Sequence, residues 1–133
     1  MDFSGAIEQL LAHVKHGDRV FVLSDFYGLD QAVASHEAPL ASALAHLVAR
    51  GETNLLQLSD PLELQPPPPG RYPVQRDGET VWLDLNAPAT REAWGEPSRQ
   101  RSAVLKSFAA RHGCRLVSLS TDGNLPATLG GLW

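Results

Sequence analysis

The sequence has one cysteine, one methionine and two lysines, and each shortage excludes something. A lone Cys114 cannot form an internal disulfide, and a single thiol fits a reducing compartment. It stands directly before an apolar run and reads as a small buried residue. No run of about 18 apolar residues occurs, so no stretch reads as a membrane-spanning helix. No basic-then-apolar leader opens the sequence as given, and the expected location is cytoplasmic. Eleven basic against fifteen acidic residues leave a net charge of −4. A phosphate backbone needs a basic face, so nucleic acid is not expected as a partner.

The shortage of lysine bears on chemistry. Lys15 and Lys106 both fall on helical patterns. A receiver-type phosphotransfer site wants a lysine after a late strand and an acidic pair after the first, and neither is present. Asp-x-Asp after a strand, a Gly-x-x-x-x-Gly-Lys loop and a Gly-x-Ser-x-Gly elbow are missing too. His13 and His16 share a predicted helix face, but no third ligand has zinc-like spacing, so the histidines read as solvated.

What is present is one unit written three times. A helical pattern stops at Gly17, Gly51 or Gly113, and a short apolar run follows. It ends in Leu23-Ser24-Asp25, Leu58-Ser59-Asp60 or Leu119-Ser120-Thr121-Asp122. Alternating helices and strands predict an α/β fold with a parallel sheet, three strands ordered first, second, third and flanked by helices. At 43% hydrophobic and 20% charged, the 133 residues make one globular domain.

The predicted helices are 4–16, a second starting near Pro39, a third capped by Ser98, and a short closing helix within 124–133. The predicted strands are 19–24, 55–59 and 115–120. Residues 25–35 form a loop whose Phe26, Tyr27 and Leu29 are apolar enough to pack or bind. Pro66 to Pro69 form a stiff connector, with a proline-recognising partner as the alternative. The stretches 71–76 and 80–85 flank Asp77-Gly78 and predict an inserted hairpin. Residues 86–97 are irregular or a short helix, with Trp94 as a packing anchor.

Open α/β sheets bind ligands at the C-terminal edge, where Asp25, Asp60 and Asp122 should gather. Three carboxylates beside hydroxyls suit a hard cation such as magnesium or manganese. The same residue types also make turns and caps through their own side chains. Asp60 and Asp122, the latter as a cap for the closing helix, are read first in that way. For Asp25 both readings stay open.

The run Asp60-Pro61-Leu62-Glu63 after an apolar strand, then Pro69-Gly70 and a hairpin, resembles the bacterial family called domain of unknown function 58. Val22-Leu23-Ser24-Asp25-Phe26 upstream and Leu119-Ser120-Thr121-Asp122 downstream keep the same order. The resemblance covers nearly the whole chain and implies the C-terminal half of a von Willebrand factor A-like (Rossmann-like) three-layer domain. That fold carries a metal-ion-dependent adhesion site built on Asp-x-Ser-x-Ser, a threonine and a later aspartate. By strand order Asp25 matches the later aspartate, but Asp-x-Ser-x-Ser is not present. The implied site is incomplete: Asp25 should hold magnesium or manganese weakly or not at all, with Ser24, Asp60, Glu63 and Asp122 as further edge candidates. The resemblance further implies a non-enzymatic interaction module without catalytic residues or cofactor, partnered by a MoxR-type AAA+ ATPase. Members of the family can carry membrane segments ahead of the domain. If the first half of the domain is missing, the apolar stretch Val20–Leu23 becomes a sheet edge. A homodimer or a complex with the missing half would form there, with aggregation as the plain alternative. The competing function is a magnesium-dependent hydrolase or phosphotransfer enzyme using Asp25, Asp60 and Asp122.

Overall fold

A computed structural model of the chain describes residues 3–29 and 39–131. The rest of the predicted 25–35 loop and the final two residues of the closing segment lie outside the described residues. Helix α1 (Phe3–Leu11) buries Ile7. It ends well before residue 16. Val14 N–H still reaches the Leu10 carbonyl (3.1 Å), but Asp18 then folds the chain into a turn, accepting from Lys15 N–H at 2.8 Å. Gly17 (φ 92°) supplies the left-handed residue of that turn rather than a helix stop. His13, Lys15 and His16 therefore lie beyond the helix, and the two histidines do not share a helix face.

Strands β1 (Arg19–Ser24), β2 (Glu52–Ser59) and β5 (Arg115–Ser120) form a parallel sheet in the order β1-β2-β5, as the repeated unit predicts. Helix α2 (Pro39–Arg50) links the first two strands. Its end is docked closely. Arg50 donates to the Leu11 carbonyl (2.7 Å), and a Cβ on Gly51 would stand 2.7 Å from the Asp18 carbonyl. β2 is central and starts three residues before the predicted 55–59. Thr53 and Asn54 are buried although polar, which hid the first part of the strand from an apolar count.

After β2 come α3 (Pro61–Leu64), the hairpin strands β3 (Arg71–Arg76) and β4 (Glu79–Asp84), and α4 (Pro88–Ala93). The hairpin is a separate two-stranded sheet. Asp77 (φ 52°) and Gly78 (φ 84°) are both left-handed, as the tight turns matching strand twist require. Leu85 N–H ties its base to the Gly70 carbonyl at 2.8 Å, and the Leu85 side chain is buried.

Helix α5 (Glu96–His112) starts earlier than a Ser98 cap would allow. Gly95 takes the capping position, its carbonyl accepting from Arg99 N–H at 3.0 Å. A side chain there would collide with the Leu64 carbonyl, 2.7 Å from an added Cβ. Ser98 lies inside the helix and is buried. Gly113 (φ 68°) ends the helix in the left-handed conformation, as predicted. Cys114 packs against the core, and burial pushes its thiol pKa up. Helix α6 (Leu125–Gly130) is capped by Asn124, which accepts from Ala127 N–H at 3.1 Å; Asp122 is not the cap.

Because the strands are added in one direction, right-handed crossovers place α2 and α5 on the same face. That face holds the main core, with Leu44, Leu47, Leu55, Leu105 and Phe108 packed against Val20 and Val22. On the other face Leu56 and Leu119 pack with Phe21, Leu58 and Val117, and with Leu125 and Leu129 of α6. Among the described residues no helix is long and apolar enough to cross a membrane.

Candidate functional site

Parallel strands bring Ser24, Ser59 and Ser120 to one edge of the sheet, but not to one level. Ser59 is in register with Ser120, whereas Ser24 is in register with Gln57. β1 thus stops two residues short, leaving Asp25 about 6–7 Å back along the strand direction from Asp60.

Among the described residues Asp25 and Asp122 bond only to near neighbours in the chain, whereas Asp60 also bonds across to the end of β5. Asp60 caps α3: one carboxylate oxygen accepts from Leu62 N–H (2.8 Å), and Glu63 reaches back to Asp60 N–H (3.2 Å). The other oxygen accepts from the Thr121 hydroxyl at 2.7 Å, joining the ends of β2 and β5. Asp25 accepts from Tyr27 N–H (3.0 Å) and from the Ser24 hydroxyl (3.4 Å), while Ser24 Oγ accepts from Phe26 N–H (3.0 Å). Asp122 accepts from the Ser120 hydroxyl. Among the described residues no group of three His, Cys, Asp or Glu could hold a metal ion.

The Thr121 hydroxyl, and after it the Leu62 amide, hold the Asp60 carboxyl below its ordinary value of 3.8. A group with a depressed folded pKa stabilises the fold fully above the unfolded value, and that contribution is lost as pH falls through the folded value. The α3 cap is therefore expected to hold at neutral pH and to loosen only below about pH 4. A carbon-13 titration of the Asp60 carboxyl should show a midpoint below 3.8, moving up in Thr121→Val. A midpoint unchanged by that substitution would remove the threonine from the account.

The edge also contains residues that its acid motifs do not announce. Arg101 of α5 pairs with Glu63 at 3.2 Å, with 12% of its side chain exposed. Its guanidinium lies 5.2 Å from the centre of the Tyr27 ring. Trp94 donates its indole N–H to the Leu62 carbonyl at 2.6 Å, which fixes the ring against α3. These contacts wall a cavity of about 390 Å³ between α3 and the start of α5, lined by Leu62, Trp94, Pro97, Ser98 and the Glu63–Arg101 pair. A second hollow of about 460 Å³ lies beside it, between the Pro66-Pro67 segment and the end of β5. Asp60 and Leu62 line both, and Leu62 is 54% exposed. Glu63 was legible from Asp-Pro-Leu-Glu. The Trp94 anchor was legible too, but its target was not. Arg101 belongs to none of the motifs that the sequence announces.

Comparison with protein-family models, curated proteins and solved structures returns no match. Fold and edge define an α/β protein with a three-stranded parallel sheet and an apolar, acid-rimmed cleft at the C-terminal ends of its strands.

Proposed function

We propose that the chain is a non-enzymatic protein-interaction module of the von Willebrand A-like kind, docking a partner at this edge. The observation that carries the reading is Leu62, a large apolar side chain standing exposed between two cavities. Exposed apolar surface rimmed by polar groups marks association sites. The bonds of Asp25, Asp60 and Asp122 are those of turns, a cap and one tie between strand ends, which supports binding over hydrolysis. The parallel sheet and inserted hairpin support the family reading, on which Asp25 is the remnant of an incomplete adhesion site. The partner implied by that family is a MoxR-type AAA+ ATPase. Among the described residues β1 is the last strand of the sheet, and with Leu23 60% exposed this also supports pairing with a second copy.

Titration against a purified MoxR-type ATPase from the same source tests the reading. Binding is expected, weakened at least about tenfold by Leu62→Asp, because truncating or charging a central apolar anchor costs more than about 1.4 kcal/mol. Binding indifferent to Leu62→Asp would move the docking site elsewhere. No binding would remove this partner.

A further inference from the structure

We infer that the cleft takes an extended segment of a partner protein that presents an apolar side chain next to basic ones. The inference rests on the docking role given to this edge and names the chemistry of its partner.

The two cavities differ in character. The first, walled by Leu62, Trp94 and Pro97, is an apolar socket, and its one guanidinium is already matched by Glu63. The second has Pro61, Pro66 and Pro67 for walls and the carboxylates of Asp60 and Asp122 at its rim. Both carboxylates are exposed. Together the two cavities are lined by three carboxylates against one guanidinium, leaving an excess of negative charge where the socket opens. Two neighbouring cations are already engaged: Arg91 gives its guanidinium to the Pro67 carbonyl, and Arg99 pairs with Glu96. Asp25, exposed beside Tyr27, adds a further negative charge on the same edge.

Shape sets the order of the side chains. Asp60 and Leu62 belong to both cavities, so a segment crossing the Leu62 ridge would place neighbouring residues in different hollows. An apolar residue fits beside Trp94, and a lysine or arginine beside it reaches Asp60 and Asp122. The Thr121 hydroxyl and the Leu62 amide hold Asp60 ionised and aimed, so it meets a cation without first being reoriented. Acidic segments are repelled by the same rim.

The test uses the full chain and three synthetic peptides, Gly-Lys-Phe-Arg-Gly, Gly-Glu-Phe-Glu-Gly and Gly-Lys-Ala-Arg-Gly, followed by amide and indole chemical shifts. The first peptide should shift Leu62, Thr121 and the Trp94 indole. The second and third should bind at least about tenfold more weakly. Asp122→Lys should erase the preference between the first two, and Asp122→Asn, closer in shape, should weaken the first while keeping part of the preference. Equal binding of basic and acidic peptides, or shifts confined to the hairpin, would overturn the inference. The ATPase titration separates the failures. Leu62-dependent docking without any peptide charge preference overturns the basic partner and leaves the docking edge standing. Docking that ignores Leu62, with no peptide shifts, removes both.

Discussion

Phe26→Ala is expected to cost about 3–5 kcal/mol of folding stability, the range for removing a fully buried phenylalanine. Phe26 is completely buried in the main core although it belongs to the loop after β1. It reaches the core by adopting a left-handed backbone (φ 54°), an uncommon state for an aromatic residue and one that carries strain. The Ser24 hydroxyl accepts its N–H, and Leu29 N–H returns to its carbonyl at 3.1 Å. Phe26→Gly relieves the strain but leaves the same cavity, so it should remain strongly destabilised. Phe26→Leu fills most of the space and should lose far less. Urea denaturation of the three variants checks this. A midpoint for Phe26→Ala equal to that of the parent would show that the loop is not anchored by this ring. The effect extends to the cleft, because the next residue is Tyr27, whose ring lies over Arg101.

The second large effect is expected at Glu63. Its carboxylate both closes the cap at Asp60 and faces Arg101, whose side chain is nearly buried. Glu63→Ala should cost about 3 kcal/mol, the low end for removing one partner of a buried pair, because Glu63 itself remains about a third exposed. Arg101→Met should cost less, since it keeps an apolar stem in place of the guanidinium. The double substitution Glu63→Ala with Arg101→Met should lose less than the sum of the two single losses, and the double-mutant cycle gives the coupling directly. Additive single losses would mean that the ion pair contributes nothing beyond the two side chains taken separately.

The sheet was readable because each strand is an apolar run stopped by a serine and an acid, and because three helix–strand units leave few topologies. The hairpin was readable from Asp77-Gly78 alone. Helix ends were less so, for a physical reason: a glycine licenses a left-handed residue without saying which structure uses it. Gly113 ends a helix, while Gly17 serves a turn closed by Asp18. Ser98 and Asp122 have the chemistry of caps, but Gly95 and Asn124 hold those positions, because close packing on Leu64 and the reach to Ala127 decide it. At the edge, the sequence placed the three acids on the same side of the sheet and carried no information on their level. Register across the sheet depends on where β1 stops, which local composition does not encode. The cleft itself depends on Trp94 and Arg101, brought to Leu62 and Glu63 from some 30 to 40 residues away, a distance over which no local pattern operates.

The hairpin has a consequence for how the molecule comes apart. Among the described residues its ladder joins β3 to β4 and to no third strand, and Val81 and Trp82 remain open to water. A two-stranded ribbon is marginal by itself. Opening it breaks the Gly70–Leu85 tie and its own ladder but leaves the parallel ladders of β2 intact. The chain should therefore contain two cooperative units of unequal free energy, with the ribbon opening first and often. The proline run that walls the second hollow is tied to this ribbon, where Tyr72 donates to the Pro68 carbonyl at 2.8 Å, and to α4, where Arg91 donates to the Pro67 carbonyl, so each opening of the ribbon frees one of the two anchors of that wall.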